Sequence, residues 1–372
     1  MQQRNVSWIE LFFDLIFVSA AHQLSLLLSN ATSFKHAMLL MLLFIPILWC
    51  WFSHTLFTSQ FADRSWFYHV TTFVQIIGVV TLVILMPTAT TIHQTYFAYA
   101  YVLFKAFLIA QYILWSILEI HRLLHMIPVV IGNIGSGVLW FLSTMSDHPY
   151  IWWALAMTID ILTPVFTKTK DLAQNINPHH LPERFGMLTI IVLGEMMLSF
   201  IISSMGVPIS KDLISVLAAG ILIATMIFWT YFRYIDYAIL GFSKSTSRVY
   251  IYSHLPLVLG IICIASAYKA IMRGASGEWL LVFGIILFTL AFRVLRFIQD
   301  QRLLKRQIIC IFLLLPILGW FYFFSSDALL FNTAILTGCF AVYLLISEFF
   351  LGWIIQQSPA NMPATGRIQW DK

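Results

Sequence analysis

Apolar residues run through this chain in blocks of about twenty, separated by short polar breaks. A helix rises 1.5 Å per residue, so about 20 mostly apolar residues cross a hydrocarbon core of about 30 Å. Twelve blocks meet that length, at 6–28, 36–57, 67–86, 95–118, 126–144, 150–166, 183–205, 213–234, 250–272, 278–296, 308–325 and 327–356. The sixth is the shortest, and the twelfth is long enough to tilt or to extend beyond the bilayer. The first block contains Glu10 and Asp14, which the core of a cleaved signal peptide would not tolerate, so it is read as a retained helix. The predicted fold is an all-α integral membrane protein of about 12 transmembrane helices.

Composition agrees with the pattern. The chain is 60% hydrophobic and only 10% charged, whereas a soluble domain carries about a quarter charged residues to face water. The basic residues then orient it. The amino terminus and the connections on its side hold Arg4, Arg64, Arg122, Lys168, Lys170, Arg184, Arg233, Lys244, Arg248, Arg293, Arg296, Arg302, Lys305, Arg306, Arg367 and Lys372. The opposite side holds only Lys35, Lys211, Lys269 and Arg273. Sixteen against four is a positive-inside bias that a miscounted helix would scramble, so both termini are expected in the cytoplasm. The same bias accounts for the net charge of +5 without invoking nucleic acid.

The long connection at 167–182 divides the blocks into a first half, 1–166, and a second half, 183–356, with a tail at 357–372. Block one runs from Glu10 to His22 in twelve residues, and block seven from Glu183 to Glu195 in the same twelve. Trp51-Phe52 near the end of block two matches Trp229 to Phe232 in block eight, and Tyr68-His69 matches Tyr252-Ser253-His254. The ordered set predicts a 6+6 repeat. Six is even, so the halves would be parallel, related by an axis along the membrane normal.

An ionisable group at the centre of a spanning helix costs about 2.5–3.5 kcal/mol on insertion scales, so it persists where it is paired or hydrated. Asp14, Glu195, Lys105, Asp160, Glu10, His22 and Ser199 are therefore the candidate substrate- or ion-binding residues. Lys105 and Glu195 fall near the midplane, and Lys105 is expected to pair with either Glu195 or Asp160. Glu10 and Asp14 lie one turn apart on one face, while Glu195, Ser199 and Ser203 form a second polar stripe. Attraction of acids to a helix start explains Glu10 and Glu183 but not the deeper Asp14. Glu183, Arg184, His54, His69 and His254 are the polar candidates on the cytoplasmic side, the histidines read as interfacial. His179-His180 is read as part of a hydrophilic loop.

Cys50, Cys263, Cys310 and Cys339 all lie within apolar blocks at no metal-ligand spacing, so neither a disulfide nor a zinc site is expected. Phosphate-binding loops, dinucleotide fingerprints, nucleophile elbows and zinc helices do not occur in the sequence, and no cofactor is called for.

The run Val6-Ser7-Trp8-Ile9-Glu10-Leu11-Phe12-Phe13-Asp14-Leu15-Ile16-Phe17-Val18 resembles the opening of the bacterial low temperature requirement protein A family. Three further blocks agree: Glu183-Arg184-Phe185-Gly186 leading to Gly194-Glu195, then Trp229 to Phe232, and Tyr252-Ser253-His254 leading to Gly260. Lys105 departs from the arginine more usual in that family's fourth segment, which weakens a bidentate anion contact there. The resemblance implies a multi-pass protein of the bacterial cytoplasmic membrane with a role in cold growth, and supplies no substrate or reaction.

The leading expectation is a proton-coupled secondary transporter of a small solute. The alternative is a non-transporting sensor or scaffold, or a lipid-modifying protein, in cold adaptation. A non-enzyme is preferred. The expected partners are the bilayer and a small molecule or ion, with no nucleic acid; self-association into a homo-oligomer is left open.

Overall fold

The computed structural model describes residues 6–61, 65–118, 123–166, 180–238, 246–299, 308 and 329–356. Within them the chain is helical, with no strand. The helices are α1 (Trp8–Ser29), α2 (Phe34–Gln60), α3 (Trp66–Leu85), α4 (Gln94–Leu118), α5 (Leu123–Ser143) and α6 (Pro149–Phe166). They continue as α7 (His180–Ser204), α8 (Lys211–Ala238), α9 (Thr246–Met272), α10 (Glu278–Gln299) and α11 (Leu329–Gln356). Eleven of the twelve expected blocks therefore correspond to described helices, and the block at 308–325 lies outside the described residues apart from Ile308. Among the described residues, nine helices are long and apolar enough to cross a membrane. The chain is an all-α, multi-pass membrane protein.

Local chemistry sets the helix ends. Ser33 and Ser65 cap α2 and α3 by accepting from the amides of His36 (3.2 Å) and Tyr68 (3.1 Å). Gly206 and Gly274 follow α7 and α9 with φ of 78° and 75°, a left-handed conformation that costs glycine little. One departure from expectation that bears on the site is at the start of α7. It begins at His180 rather than 183, so His180 belongs to a helix and not to a hydrophilic loop.

The centre of the bundle is α9, with 89% of its membrane window buried. It packs on α10, α7 and α1 and touches α2 and α11. Glycine allows the closest of these approaches: a Cβ on Gly284 would stand 2.8 Å from the Gly260 carbonyl oxygen. The helices α3 to α6 form a run of antiparallel neighbours on the other side. Aromatic rings of α4, α5 and α6 (Tyr101, Trp140, Trp153) hold that run together, with centroids 4.4 and 5.1 Å apart.

The side-chain pairs between α1 and α7 fix their relative direction. Glu10 meets His180, Asp14 meets Arg184, His22 meets Glu195 and Ser25 meets Ser199. The numbering offsets are 170, 170, 173 and 174. A nearly constant difference, as opposed to a constant sum, means that α1 and α7 run parallel and in register. Below, the end where α1 and α7 begin is called proximal and the other distal.

Candidate functional site

Among the described residues, three buried ionic clusters occupy the bundle, and two of them lie on the α1–α7 seam. The distal one is built on Glu195, whose side chain is fully buried. Its Oε1 accepts from Lys269 Nζ at 2.7 Å and from the Ser199 hydroxyl at 2.8 Å. Its Oε2 lies 2.9 Å from Nδ1 of His22, so the imidazole donates there. Ser25 joins through Ser199 at 3.5 Å. His22 keeps 34% of its side chain exposed while Glu195 has none, which makes the imidazole the cluster's contact with the outside.

Lys269 reaches this site for a geometric reason. Side chains lean toward the amino terminus of their helix, and α9 starts at the proximal end. Lys269 stands one turn from the distal end of α9, so its amine is directed back into the bundle and not outward to water.

The proximal cluster joins α1, α2 and α7. The Arg184 guanidinium, fully buried, contacts Asp14 Oδ1 at 2.8 Å, Glu10 Oε2 at 3.6 Å and the Thr55 hydroxyl at 3.3 Å. It also lies over the Trp51 ring, while the Trp51 indole N–H donates to Asp14 Oδ1 at 2.6 Å. His180 Nε2 donates to Glu10 Oε2 at 2.8 Å, and its Nδ1 lies 3.1 Å from the Ser59 hydroxyl. A first-turn acid, a deeper acid, an arginine and a histidine thus form one buried network.

The third cluster is confined to the first six helices. Lys105 Nζ donates to Asp160 Oδ1 at 2.5 Å and to Asn133 Oδ1 at 2.7 Å, and the Tyr101 hydroxyl donates to Asp160 Oδ2 at 2.7 Å. Of the two partners expected for Lys105, the structure selects Asp160; Glu195 belongs to Lys269. A cavity of about 30 Å³, room for about one water, borders Asp160 and Asn133 among Ser53, Gln60 and Tyr112.

The remaining candidates separate from these clusters. His54 and His254 are fully buried within the bundle. His54 begins a one-way relay: its Nδ1 donates to Gln75 (3.0 Å), Gln75 to Gln111 (3.1 Å) and Gln111 to Thr71 (2.7 Å). His254 donates from Nδ1 to its own helix at Tyr250 and accepts from Tyr231 at 2.8 Å. His69 is part-exposed and bonds to the Ser65 carbonyl; Glu183 is exposed on the first turn of α7.

Residues 5–347 match the family model described as bacterial low temperature requirement A protein, LtrA. The chain belongs to that family. The LtrA match covers α1 through most of α11, so every residue of the three clusters falls within it. The chain is also similar to an uncharacterized protein of Rhizobium meliloti (strain 1021), 25% identical over 287 residues, which cover 71% of this chain and 68% of that protein. No solved structure matches.

In this LtrA chain, the sequence reading leaves Lys269 and His180 outside the candidate site. Lys269 was placed with the distal loop charges. Its position carries the clue: Lys269 lies three residues, about 4.5 Å, before the distal end of its helix, and side chains lean back toward the helix start.

Proposed function

We propose that this LtrA-family chain is a proton-coupled secondary transporter of a small solute, with Glu195 as the coupling carboxylate and the proximal end facing the cytoplasm. The observation that carries the reading is the junction at Glu195: one buried carboxylate shared by a buried ammonium and a half-exposed imidazole. A proton arriving on Nε2 of His22 would let the imidazole pass its Nδ1 proton to Glu195. Glu195 would then be neutral, and Lys269, 1% exposed, would lose its counter-charge. An unpaired ammonium at that depth is unstable, so protonation is linked to movement of α9 against α7.

The parallel course of α1 and α7 supports an even number of crossings, six, from α1 through α6, and a 6+6 arrangement with the seam at the boundary between the halves. Transporters of this build place their ionisable groups at such a boundary. The sixteen-to-four basic bias supports the cytoplasmic assignment of the proximal end.

The test is a proteoliposome assay with a pH-sensitive dye in the lumen. A panel of amino acids, organic acids, amines and sugars is added under an imposed proton gradient. At least one solute is expected to drive proton movement in the wild type, reduced tenfold or more in Glu195→Gln. If no solute moves protons and Glu195→Gln supports cold growth as well as wild type, the reading fails.

A further inference from the structure

The cluster of Lys105 and Asp160 borders a cavity that is separate from the α1–α7 seam. Four helices line it. Ser53 and Gln60 lie seven residues apart on one face of α2, Tyr112 comes from α4, Asn133 from α5 and Asp160 from α6, and Trp49 continues the α2 face. The cavity runs from mid-depth to the proximal end. Asp160 lies 11 residues, about 16 Å, into α6, whereas Gln60 is the last residue of α2 and its neighbour Ser59 meets His180 at the start of α7.

The polar lining is short of a donor. Gln60 is 9% exposed, and its Nε2 donates to the Leu56 carbonyl at 2.9 Å. That bond fixes the orientation of the amide and leaves Oε1 as the unmatched atom, buried with no hydrogen-bond partner. Asn133 likewise spends its Nδ2 on its own helix, at the Val129 carbonyl. Asp160 takes one donor on each oxygen, Lys105 on Oδ1 and Tyr101 on Oδ2, where an ionised carboxylate has about four lone-pair sites. The hydroxyls of Ser53 and Tyr112 can turn to accept as well. A buried acceptor left unmatched is costly, so an unpartnered carbonyl oxygen beside a carboxylate and a cavity calls for a ligand that donates.

We propose that this cavity binds one ammonium ion between Asp160 and Gln60. The inference goes beyond the transport reading of Glu195 and does not depend on it. The cavity has room for about one water, and an ammonium ion is of that size. It brings N–H donors on every side and no lone pair that would need a donor in return. Trp49 and Tyr112 add aromatic surface, which attracts a cation. An anion would meet the carboxylate of Asp160 and the bare oxygen of Gln60. Lys105 does not border the cavity, and its Nζ is held by Asp160 and Asn133.

Thermal unfolding of the full chain in lipid nanodiscs tests the site, with sodium chloride replaced stepwise by ammonium, potassium or tetramethylammonium chloride at constant ionic strength. Ammonium should raise the midpoint saturably, because a ligand of the folded state stabilises it by mass action. Potassium, which donates no hydrogen bond, and tetramethylammonium, which is too large, should not. Gln60→Leu should weaken the apparent ammonium affinity about tenfold or more, the loss of one hydrogen bond to a charged group. Its midpoint in sodium chloride should stay equal or rise, since the unmatched oxygen is gone; a merely structural Gln60 would lower it. The ion comparison in the wild type needs no folded variant. An equal rise with potassium or tetramethylammonium overturns the site, as does a Gln60→Leu chain that responds like the wild type. Absence of any ammonium-specific rise leaves water as the occupant and also overturns it. Solute-coupled proton flux without an ammonium-specific rise counts against this site alone; the rise without such flux counts against the transport reading alone.

Discussion

Lys105 and Asp160 offer the most direct measurement of how these clusters hold the bundle. Lys105 lies 11 residues into α4, about 16 Å from its start, and is 1% exposed. Lys105→Met leaves the Asp160 carboxylate buried with only the Tyr101 hydroxyl as a donor. Asp160→Asn leaves the ammonium facing two neutral amide groups. Removing one partner of a buried pair costs about 3–5 kcal/mol, so independent effects would sum to about 6–10 kcal/mol. The double variant buries no charge, and its remaining deficit is the lost hydrogen bonds at Asn133 and Tyr101, about 1–3 kcal/mol. The cycle should therefore fall short of additivity by at least about 3 kcal/mol, or about 150-fold in the folding equilibrium. Equilibrium unfolding in mixed detergent–SDS micelles, followed by tryptophan fluorescence and circular dichroism, provides the four stabilities. A parallel cycle of Lys105→Met with Glu195→Gln should be additive within about 0.5 kcal/mol. Additivity for the Asp160 cycle, or coupling to Glu195 instead, would refute the assignment of the pair.

Three further outcomes follow from the same geometry. Lys269→Met should lower stability by about 3–5 kcal/mol, and adding Glu195→Gln should restore most of it, read by the same unfolding assay; a double variant worse than the single would refute the pairing. Gly284→Ala sets a methyl 2.8 Å from the Gly260 carbonyl oxygen and 2.9 Å from the Cys263 Cβ, and should cost about 1–3 kcal/mol, visible as a lower midpoint in thermal unfolding. Gly132→Ala would place its Cβ 2.1 Å from Thr163 Oγ1; adding Thr163→Ala removes that atom and should recover most of the loss, and no recovery would mean that α5 and α6 do not pack through this contact.

Much of this arrangement is legible in the sequence, and what is not has a physical reason. Helix positions follow from apolar length, since the bilayer sets one scale for every block. The acids Asp14, Glu195 and Asp160 stand out because charge inside a helix demands a partner. Partner identity is another matter: Asp160 and Glu195 are indistinguishable to Lys105 by depth alone, and only the packing of α4 on α5 and α6 separates them. Arg184 reads as a loop charge because it sits five residues into its helix, yet α1 and α2 enclose it completely. His180 is disguised by the polar His179 before it and by Pro182, which reads as the first turn of a helix starting later. The relay through Gln75 and Gln111 escapes a search for ionisable groups altogether, because a buried amide announces itself only through its hydrogen bonds.

The pairing of α1 with α7 also constrains how the protein is made. Glu10 and Asp14 are synthesised before their cation, Arg184, which lies 170 residues beyond Asp14. At about 5–20 residues per second, a ribosome needs about 10–30 s to produce it. For that interval the first helix carries two carboxylates without their counter-ion, and α9, which buries its flank, is later still. The nascent helix must wait at the edge of the bilayer or beside the insertion machinery, where water can reach both acids. Its final seat is set only when α7 arrives, so a helix made well before its partner is locked in place only after that partner has followed it.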